Sequence, residues 1–151
     1  RLYNVHIIYA EECFVLKKRK IYLFCAVAGL LALVFSVSIL FMNCQDKKNE
    51  LEKVYDRINQ LYGGSICLKL SDDKSYLRVD TNPNDEPGYY NEKNICLLED
   101  VCSMLGFPDD VFAELSASGT SDGRRVYEYN GFTVTWRSDA NFGIEALFYI
   151  A

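Results

Sequence analysis

An uninterrupted apolar run at 21–42 dominates the pattern of hydrophobic and polar positions along the chain. The run is 22 residues long, carries no charged side chain, and places apolar residues on every side of the helix it would form. Such a helix would be about 33 Å long at about 1.5 Å per residue, which matches a bilayer core of about 30 Å. The pattern therefore predicts a transmembrane helix over 21–42.

The charged residues on either side of this run predict its orientation. Four consecutive cations at 17–20 precede the run, whereas Lys47 and Lys48 follow it among acidic residues. Positively charged flanks stay on the cytoplasmic side of a membrane. We therefore expect a single-pass protein of the cell membrane, with a cytoplasmic N-terminus and an extracytoplasmic C-terminal domain.

The fate of the apolar run stays open between three alternatives. The cores of cleaved signal peptides are about 7–15 residues long, so the length of this run favours an uncleaved anchor. Cys44 is a candidate lipidation site, although Asn43 stands where a lipoprotein would have a small residue. An uncleaved anchor, a lipoprotein and a cleaved signal peptide would all place the rest of the chain outside the cytoplasm.

The residues before the cations bear on the start of translation. No Met occurs before Met42. The acidic pair at 11–12 requires purine-rich codons, which in a bacterial gene resemble a ribosome-binding site, and an alternative start codon at 15–16 would follow it. We therefore expect residues 1–14 to be untranslated, within a cytoplasmic leader at 1–20. The alternative is a chain truncated upstream.

Residues 43–64 predict an amphipathic helical stalk. Four apolar residues recur at spacings of three, four and three: Leu51, Val54, Ile58 and Leu61. Gly63 is suited to end this helix. The apolar stripe either packs against the protein's own domain or forms a short coiled coil in a homodimer through 45–62. Two heptads are fewer than a sustained coiled coil needs, so packing against the domain is favoured.

The remaining residues, 65–151, predict one small domain that begins with a hairpin and two helices. Two β-rich runs at 65–70 and 75–80 are separated by a polar turn, which predicts the hairpin. Five side chains then mark one face of a helix: Ile95, Leu98, Val101, Cys102 and Leu105. Gly106 is suited to end that helix, and Pro108 to open a second, short one.

The last third of the chain predicts a three-stranded antiparallel meander. Runs at 125–129, 132–137 and 144–150 are rich in aromatic and β-branched residues, and Asn130-Gly131 is a strong signal for a two-residue hairpin. Apolar and polar residues alternate in the second run, so one face of the sheet should be buried. We expect an α+β domain, with the hairpin and the meander packed against one or two helices.

The segment LEDVCSMLGFPDD, residues 98–110, together with the strands that follow it, resembles a known small fold. The SmpA/OmlA outer-membrane lipoproteins and the related β-lactamase-inhibitor-like modules share a helix, a leucine-glycine-x-proline step and an antiparallel meander. Leu105, Gly106 and Pro108 stand at that step here. The resemblance covers about residues 98–150 and implies a non-catalytic extracytoplasmic interaction module. The preceding hairpin and the long anchor depart from the family pattern.

Candidate catalytic chemistry is sparse. The single histidine, His6, lies in the leader, so the domain has no imidazole for Ser-His-Asp or Cys-His catalysis or for histidine-containing zinc sites. Carboxylate pairs at 72–73, 99–100 and 109–110 remain, but adjacent residues of a helix do not face each other. We expect no enzymatic activity and no cofactor. A carboxylate-dependent envelope hydrolase is the alternative.

An acidic loop is the one candidate metal site. Five side chains with oxygen atoms fall within seven residues, in a pattern that begins like a calcium-binding loop: Asp80, Asn82, Asn84, Asp85 and Glu86. An EF-hand would need Gly at the sixth position and Glu at the twelfth, where this chain has Asp85 and Asn91. The alternatives are a nonstandard calcium site and a capped exit from the hairpin, and the second is favoured.

The cysteines beyond the apolar run allow one disulfide in an oxidising compartment. Cys96 and Cys102 would point about 120° apart on one helix, so they cannot pair with each other. Cys67 on the hairpin pairs with Cys96 or Cys102 in one interpretation, and the helix cysteines are buried thiols in the other.

Charge restricts the partners of the domain. From residue 43 onward, 11 Lys and Arg stand against 19 Asp and Glu, a net charge of −8. Nucleic acid is disfavoured because phosphate contacts require clustered cations. We therefore expect a membrane-anchored interaction module of a bacterial cell envelope, which binds another envelope protein. The alternative is a structural subunit of a membrane complex.

Overall fold

The computed structural model describes residues 2–89, 91–117, 119 and 123–151, with side chains from residue 24 onward except that of residue 26. Within these ranges the chain forms three helices and five strands: α1 (Leu2–Tyr62), β1 (Leu68–Leu70), β2 (Tyr76–Asp80), α2 (Glu92–Met104), α3 (Asp109–Ala117), β3 (Arg125–Tyr129), β4 (Phe132–Asp139) and β5 (Gly143–Ile150). The fold class is α+β, as predicted. The chain divides into two compact units, Arg1–Asn43 and Cys44–Ala151.

The first unit contains the apolar run. In the described part of the chain, one helix is long and apolar enough to cross a membrane, and it lies near the N-terminus. Its large apolar side chains between Phe24 and Met42 are 44–76% exposed. These side chains are not covered by the described residues of the chain, which is compatible with a single-pass membrane anchor.

The remainder of α1 belongs to the second unit and is part of its core. Leu51, Val54 and Ile58 are buried, whereas Leu61 is 51% exposed. Three of the four positions in the predicted stripe therefore pack against the protein's own domain. The folded unit begins at Cys44, and residues 44–62 are its first helix rather than a separate stalk. The buried positions are not free to form a coiled coil with a second copy.

The predicted hairpin and meander form one five-stranded antiparallel sheet with the order β1-β2-β5-β4-β3. They join because β5 pairs with β2 on one side and with β4 on the other, so that Phe148 lies opposite both Leu77 and Val134. The first strand is shorter than predicted. It begins at Leu68 because the hydroxyl of Ser65 accepts a hydrogen bond from the backbone N–H of Cys67, which holds 65–67 in a turn.

One face of this sheet is buried against the helices. Its largest fully buried side chains are Trp136, Phe132, Phe148, Leu77 and Val79. The ring of Phe107, from the connection between α2 and α3, meets that of Phe148 edge-on at 5.8 Å. The predicted face of α2 is buried at Leu98, Val101, Cys102 and Leu105, with Ile95 partly buried. The helices thus fill one side of the sheet. On the other side Thr133 and Thr135 of β4 are also buried, and the side chains around them are partly or fully exposed.

Candidate binding face

The helix-free side of the sheet, called here the open face, is the candidate functional surface. Three rows of cross-strand neighbours make it up, in order from the end beside Cys44: Tyr76–Tyr149–Thr133, Arg78–Leu147–Thr135 and Asp80–Glu145–Arg137. Successive rows are about 7 Å apart, since a strand rises about 3.4 Å per residue. The first row has two tyrosines and a threonine, whereas all three side chains of the third row are charged, so the face becomes more charged along the strands.

The charged end of the open face is held together by ion pairs on three strands. Glu145 accepts from Nε of Arg78 at 2.9 Å and from Nε of Arg137 at 2.8 Å, one guanidinium on each carboxylate oxygen. A further nitrogen of Arg78, Nη2, donates to Asp80 at 2.8 Å. Because Arg137 is 68% exposed while Glu145 is largely covered, the network presents cationic donors to solvent over a partly buried carboxylate.

A cavity of about 560 Å³, the charged cavity, lies over this network. Charged side chains of both signs line it: Arg78, Arg124, Arg137, Asp80, Asp85 and Asp139. Its volume lies within the range of about 300–1,000 Å³ that is usual for ligand sites. Arginine forks in such a setting recognise carboxylates or phosphates through paired hydrogen bonds.

A wider groove of about 930 Å³, the anchor-end groove, lies at the other end of the open face. Tyr76, Leu147 and Tyr149 provide its apolar lining, and α1 contributes Cys44 and Lys48. Arg78 and Glu145 line both hollows, so the ion-pair network separates the charged cavity from the groove. The open face therefore offers two chemically different sites side by side.

The acidic loop that was the calcium candidate is used to fold the exit from the hairpin. Asn82 is buried, and its side chain donates to the carbonyl of Glu86 at 2.9 Å and accepts from the N–H of Glu86 at 3.2 Å. The carboxylate of Asp80 accepts from the N–H of Asn82 and from Arg78. Asn84 donates to the carboxylate of Glu86. Asp85 is turned to the charged cavity.

These contacts are those of a capped exit from the hairpin, and the calcium site stays a prediction. Among the described residues, no three carboxylate, thiol or imidazole groups come together in a way that would hold a metal ion. The start of the loop is instead bound by α2, because the side chain of Asn94 donates a hydrogen bond of 2.9 Å to the carbonyl of Thr81.

The cysteines of the domain are free thiols in this structure, so the predicted bond from Cys67 to Cys96 or Cys102 is not formed. Cys67 and Cys102 are buried, whereas Cys96 is exposed on the outer side of α2. Burial raises the pKa of both buried thiols, that of Cys102 to about 12. Of the alternative, in which both helix cysteines are buried thiols, the structure shows Cys102 buried and Cys96 exposed. Cys44, the candidate lipidation site, is exposed at the start of the folded unit.

The carboxylate pairs do not converge on a large site. The pair at 72–73 lies in the turn between β1 and β2. Glu99, Asp100 and Asp109 line a cavity between α2 and α3 of about 190 Å³, which is below the usual size of a ligand site. Asp100 accepts a hydrogen bond from the hydroxyl of Tyr62 at 2.8 Å, so it has a structural role. His6 lies outside the residues whose side chains are described.

The charged network was missed at the level of sequence, although its signal is present there. Arg78 stands between Leu77 and Val79, and Glu145 between Ile144 and Ala146. This alternation predicts a charged residue on the solvent side of each strand. That the two charges meet depends on the pairing of β2 with β5, which no local pattern encodes.

No protein-family model matches the chain, and no curated protein or solved structure matches it significantly. The resemblance to the SmpA/OmlA and β-lactamase-inhibitor-like modules therefore stays a prediction. In the structure, Leu105, Gly106 and Pro108 do connect α2 to α3, and a meander follows them.

Proposed function

We propose that this protein is a membrane-tethered binding module, and that its open face binds another protein of a bacterial cell envelope. The observation that carries the proposal is the charged cavity over the Arg78–Glu145–Arg137 network, on the one side of the sheet that no helix fills. Interfaces are enriched in arginine and tyrosine, and both residues occur on this face. Three arginines and four carboxylates line the cavity, so the partner presents groups of both charges to it.

The membrane part of the proposal is supported by the exposed apolar side chains before Cys44. Four cations at 17–20 precede them, which favours a cytoplasmic N-terminus and an extracytoplasmic domain. The domain then works outside the cytoplasm, within reach of the membrane surface. It acts by binding, with no catalytic step.

Co-purification tests the proposal with a matched pair of charge reversals. Full-length tagged protein is isolated from its native membranes in mild detergent, as wild type, as Arg137→Glu and as Arg57→Glu. Arg57 is an exposed residue of α1 away from the open face. We expect a stoichiometric partner with wild type and with Arg57→Glu, and at least about tenfold less with Arg137→Glu, equivalent to about 1.4 kcal/mol. Equal recovery of the partner with both variants would show that the open face does not bind it.

A structural subunit of a membrane complex is the second candidate, favoured by the exposure of the apolar residues before Cys44. In that case the apolar helix itself makes the contact. Replacing 21–42 with an unrelated transmembrane helix then abolishes co-purification, whereas a binding module keeps its partner.

A further inference from the structure

We propose that the anchor-end groove binds a phospholipid of the membrane in which the chain is anchored, with Lys48 on the lipid phosphate and the tyrosines against the glycerol and upper acyl region. This rests on the membrane attachment proposed above. It assigns a ligand to the groove, which is separate from the charged cavity proposed for the protein partner.

The position of the groove in the chain brings it to the lipid headgroups. Cys44, which lines the groove, is two residues beyond Met42, the last residue of the apolar run. A chain spans at most about 3.6 Å per residue, so the two Cα atoms are within about 7 Å of each other at any angle between the two units. A groove tethered this closely meets lipid at the high local concentration of the bilayer surface.

The apolar lining suits the interface between headgroups and acyl chains. Tyr76 and Tyr149 are cross-strand neighbours, and Leu147 lies behind them in the next row of the open face. Tyrosine is enriched where a bilayer meets water, because its ring is apolar and its hydroxyl remains hydrated. Tyr76 is 38% exposed, and Leu147 and Tyr149 are half-buried, so each of the three is partly open to the groove.

The cations of the groove differ in how far they are neutralised. Arg78 is bound by the carboxylates of Asp80 and Glu145. Lys48 forms no ion pair within 4 Å among the described residues, although its charge interacts with the more distant carboxylate of Asp73, and it is half-buried at the groove wall. A lysine with an apolar stem and an ammonium group that no close ion pair occupies is suited to a lipid phosphate. A soluble acidic partner would instead meet the net negative charge of the domain.

Site-specific photo-crosslinking in defined vesicles tests this. Full-length protein carrying Tyr149→p-benzoylphenylalanine is reconstituted in vesicles of phosphatidylcholine and phosphatidylglycerol, irradiated, and analysed by intact mass and peptide mapping. The matched control carries Val126→p-benzoylphenylalanine, on the same face but on the edge strand and outside the groove. We expect a lipid adduct at position 149, at least about fivefold more than at 126, and a loss of most of it when Lys48→Gln is added.

Three results overturn the proposal. Equal lipid adducts at positions 149 and 126 would mean that the contact with lipid is unspecific. A covalent dimer formed through position 149 would mean that a second copy of the chain fills the groove. No adduct at position 149, in protein that floats with the vesicles, would mean that the chain is anchored but that the groove does not bind lipid. Protein that does not float with the vesicles at all contradicts the membrane attachment itself. Unchanged fluorescence of Trp136 shows that each variant is folded.

Discussion

The hydroxyl of Tyr62 donates a hydrogen bond of 2.8 Å to Oδ2 of Asp100. It joins the last residue of α1 to the middle of α2, across 38 positions of sequence. Burial and the neighbouring carboxylate raise the pKa of Tyr62, so its hydroxyl remains protonated and keeps donating throughout the neutral range. The helical segment 44–62 is thereby fixed to the rest of the domain by a polar contact at its end, in addition to its buried apolar stripe.

Removing this hydroxyl should destabilise the domain. We expect Tyr62→Phe to lower the free energy of unfolding by about 1 kcal/mol, the usual net contribution of a hydrogen bond. Unfolding of the full-length protein in detergent by denaturant, followed by the fluorescence of Trp136, provides the measurement. Tyr55→Phe is the control, since the hydroxyl of Tyr55 has no hydrogen bond to a described residue. Equal effects of the two changes would refute the contact.

The stripe of α1 should behave as core and not as a dimer interface. Ile58 is fully buried, and truncating a buried Ile to Ala costs about 2–5 kcal/mol. We therefore expect Ile58→Ala to destabilise the domain by that amount, and Leu61→Ala, at an exposed position of the same stripe, to change it by less than about 0.5 kcal/mol. The same unfolding assay measures both, at two protein concentrations. A strong effect at Leu61 together with concentration dependence would favour the coiled coil instead.

The absence of a side chain at Gly143 allows the hairpin exit to pack closely against the last strand. A Cβ atom there would lie 2.5 Å from Oγ1 of Thr81, and the backbone has φ of +80°. The same oxygen accepts a hydrogen bond of 2.8 Å from the N–H of Ile144. We expect Gly143→Ala to destabilise the domain by more than about 2 kcal/mol, from strain in the left-handed conformation plus the clash.

Gly64 gives the matched control for that substitution. Its φ is +77°, nearly the same, but an added Cβ atom would meet nothing within 4 Å. Gly64→Ala should therefore report the conformational strain alone, about 1–2 kcal/mol. If thermal unfolding shows the two variants equally destabilised, the close approach of Gly143 to Thr81 has no energetic weight.

Thiol reactivity should separate the cysteines of the domain. The thiolate is the reactive form, and burial holds the pKa of Cys102 at about 12 and also raises that of Cys67. At pH 8 we expect alkylation of the exposed Cys96 to be faster than that of Cys67 or Cys102 by more than about tenfold. Peptide mapping by mass spectrometry gives the three rates. Under denaturing, non-reducing conditions all three should react; a Cys67 that stays unreactive there would reveal the disulfide to Cys96 or Cys102.

The sequence predicts the elements of this fold well because each has a local cause. The turn at Asn130-Gly131 has the two positive φ angles that a tight hairpin requires. Asn91 caps α2, and its side chain accepts a hydrogen bond from the N–H of Lys93. Apolar and polar residues alternate in β4, and the apolar Val134 and Trp136 are buried on the side that faces the helices, although Thr133 and Thr135 are buried as well. Such signals act over a few residues, and they can be read without knowing the rest of the fold.

The candidate site, in contrast, depends on long-range pairing. Arg78 and Glu145 are 67 positions apart, and they meet only because β5 returns between β2 and β4. A strand order of this kind is a property of the whole sheet, so neither the charged cavity nor the anchor-end groove was foreseen. The acidic loop is the opposite case. Its oxygen atoms cluster in sequence, but the buried Asn82 uses its own to bond the backbone of the loop.

The central claim, that the open face binds a protein partner, is tested most directly by photo-crosslinking in native membranes. Full-length protein carries p-benzoylphenylalanine in place of Val126, which is 59% exposed on the open face, or of Ala113, an exposed residue of α3 on the helical side. The account predicts one discrete cross-linked protein from position 126 and none from position 113. No adduct at 126, or the same adducts from both positions, would contradict it.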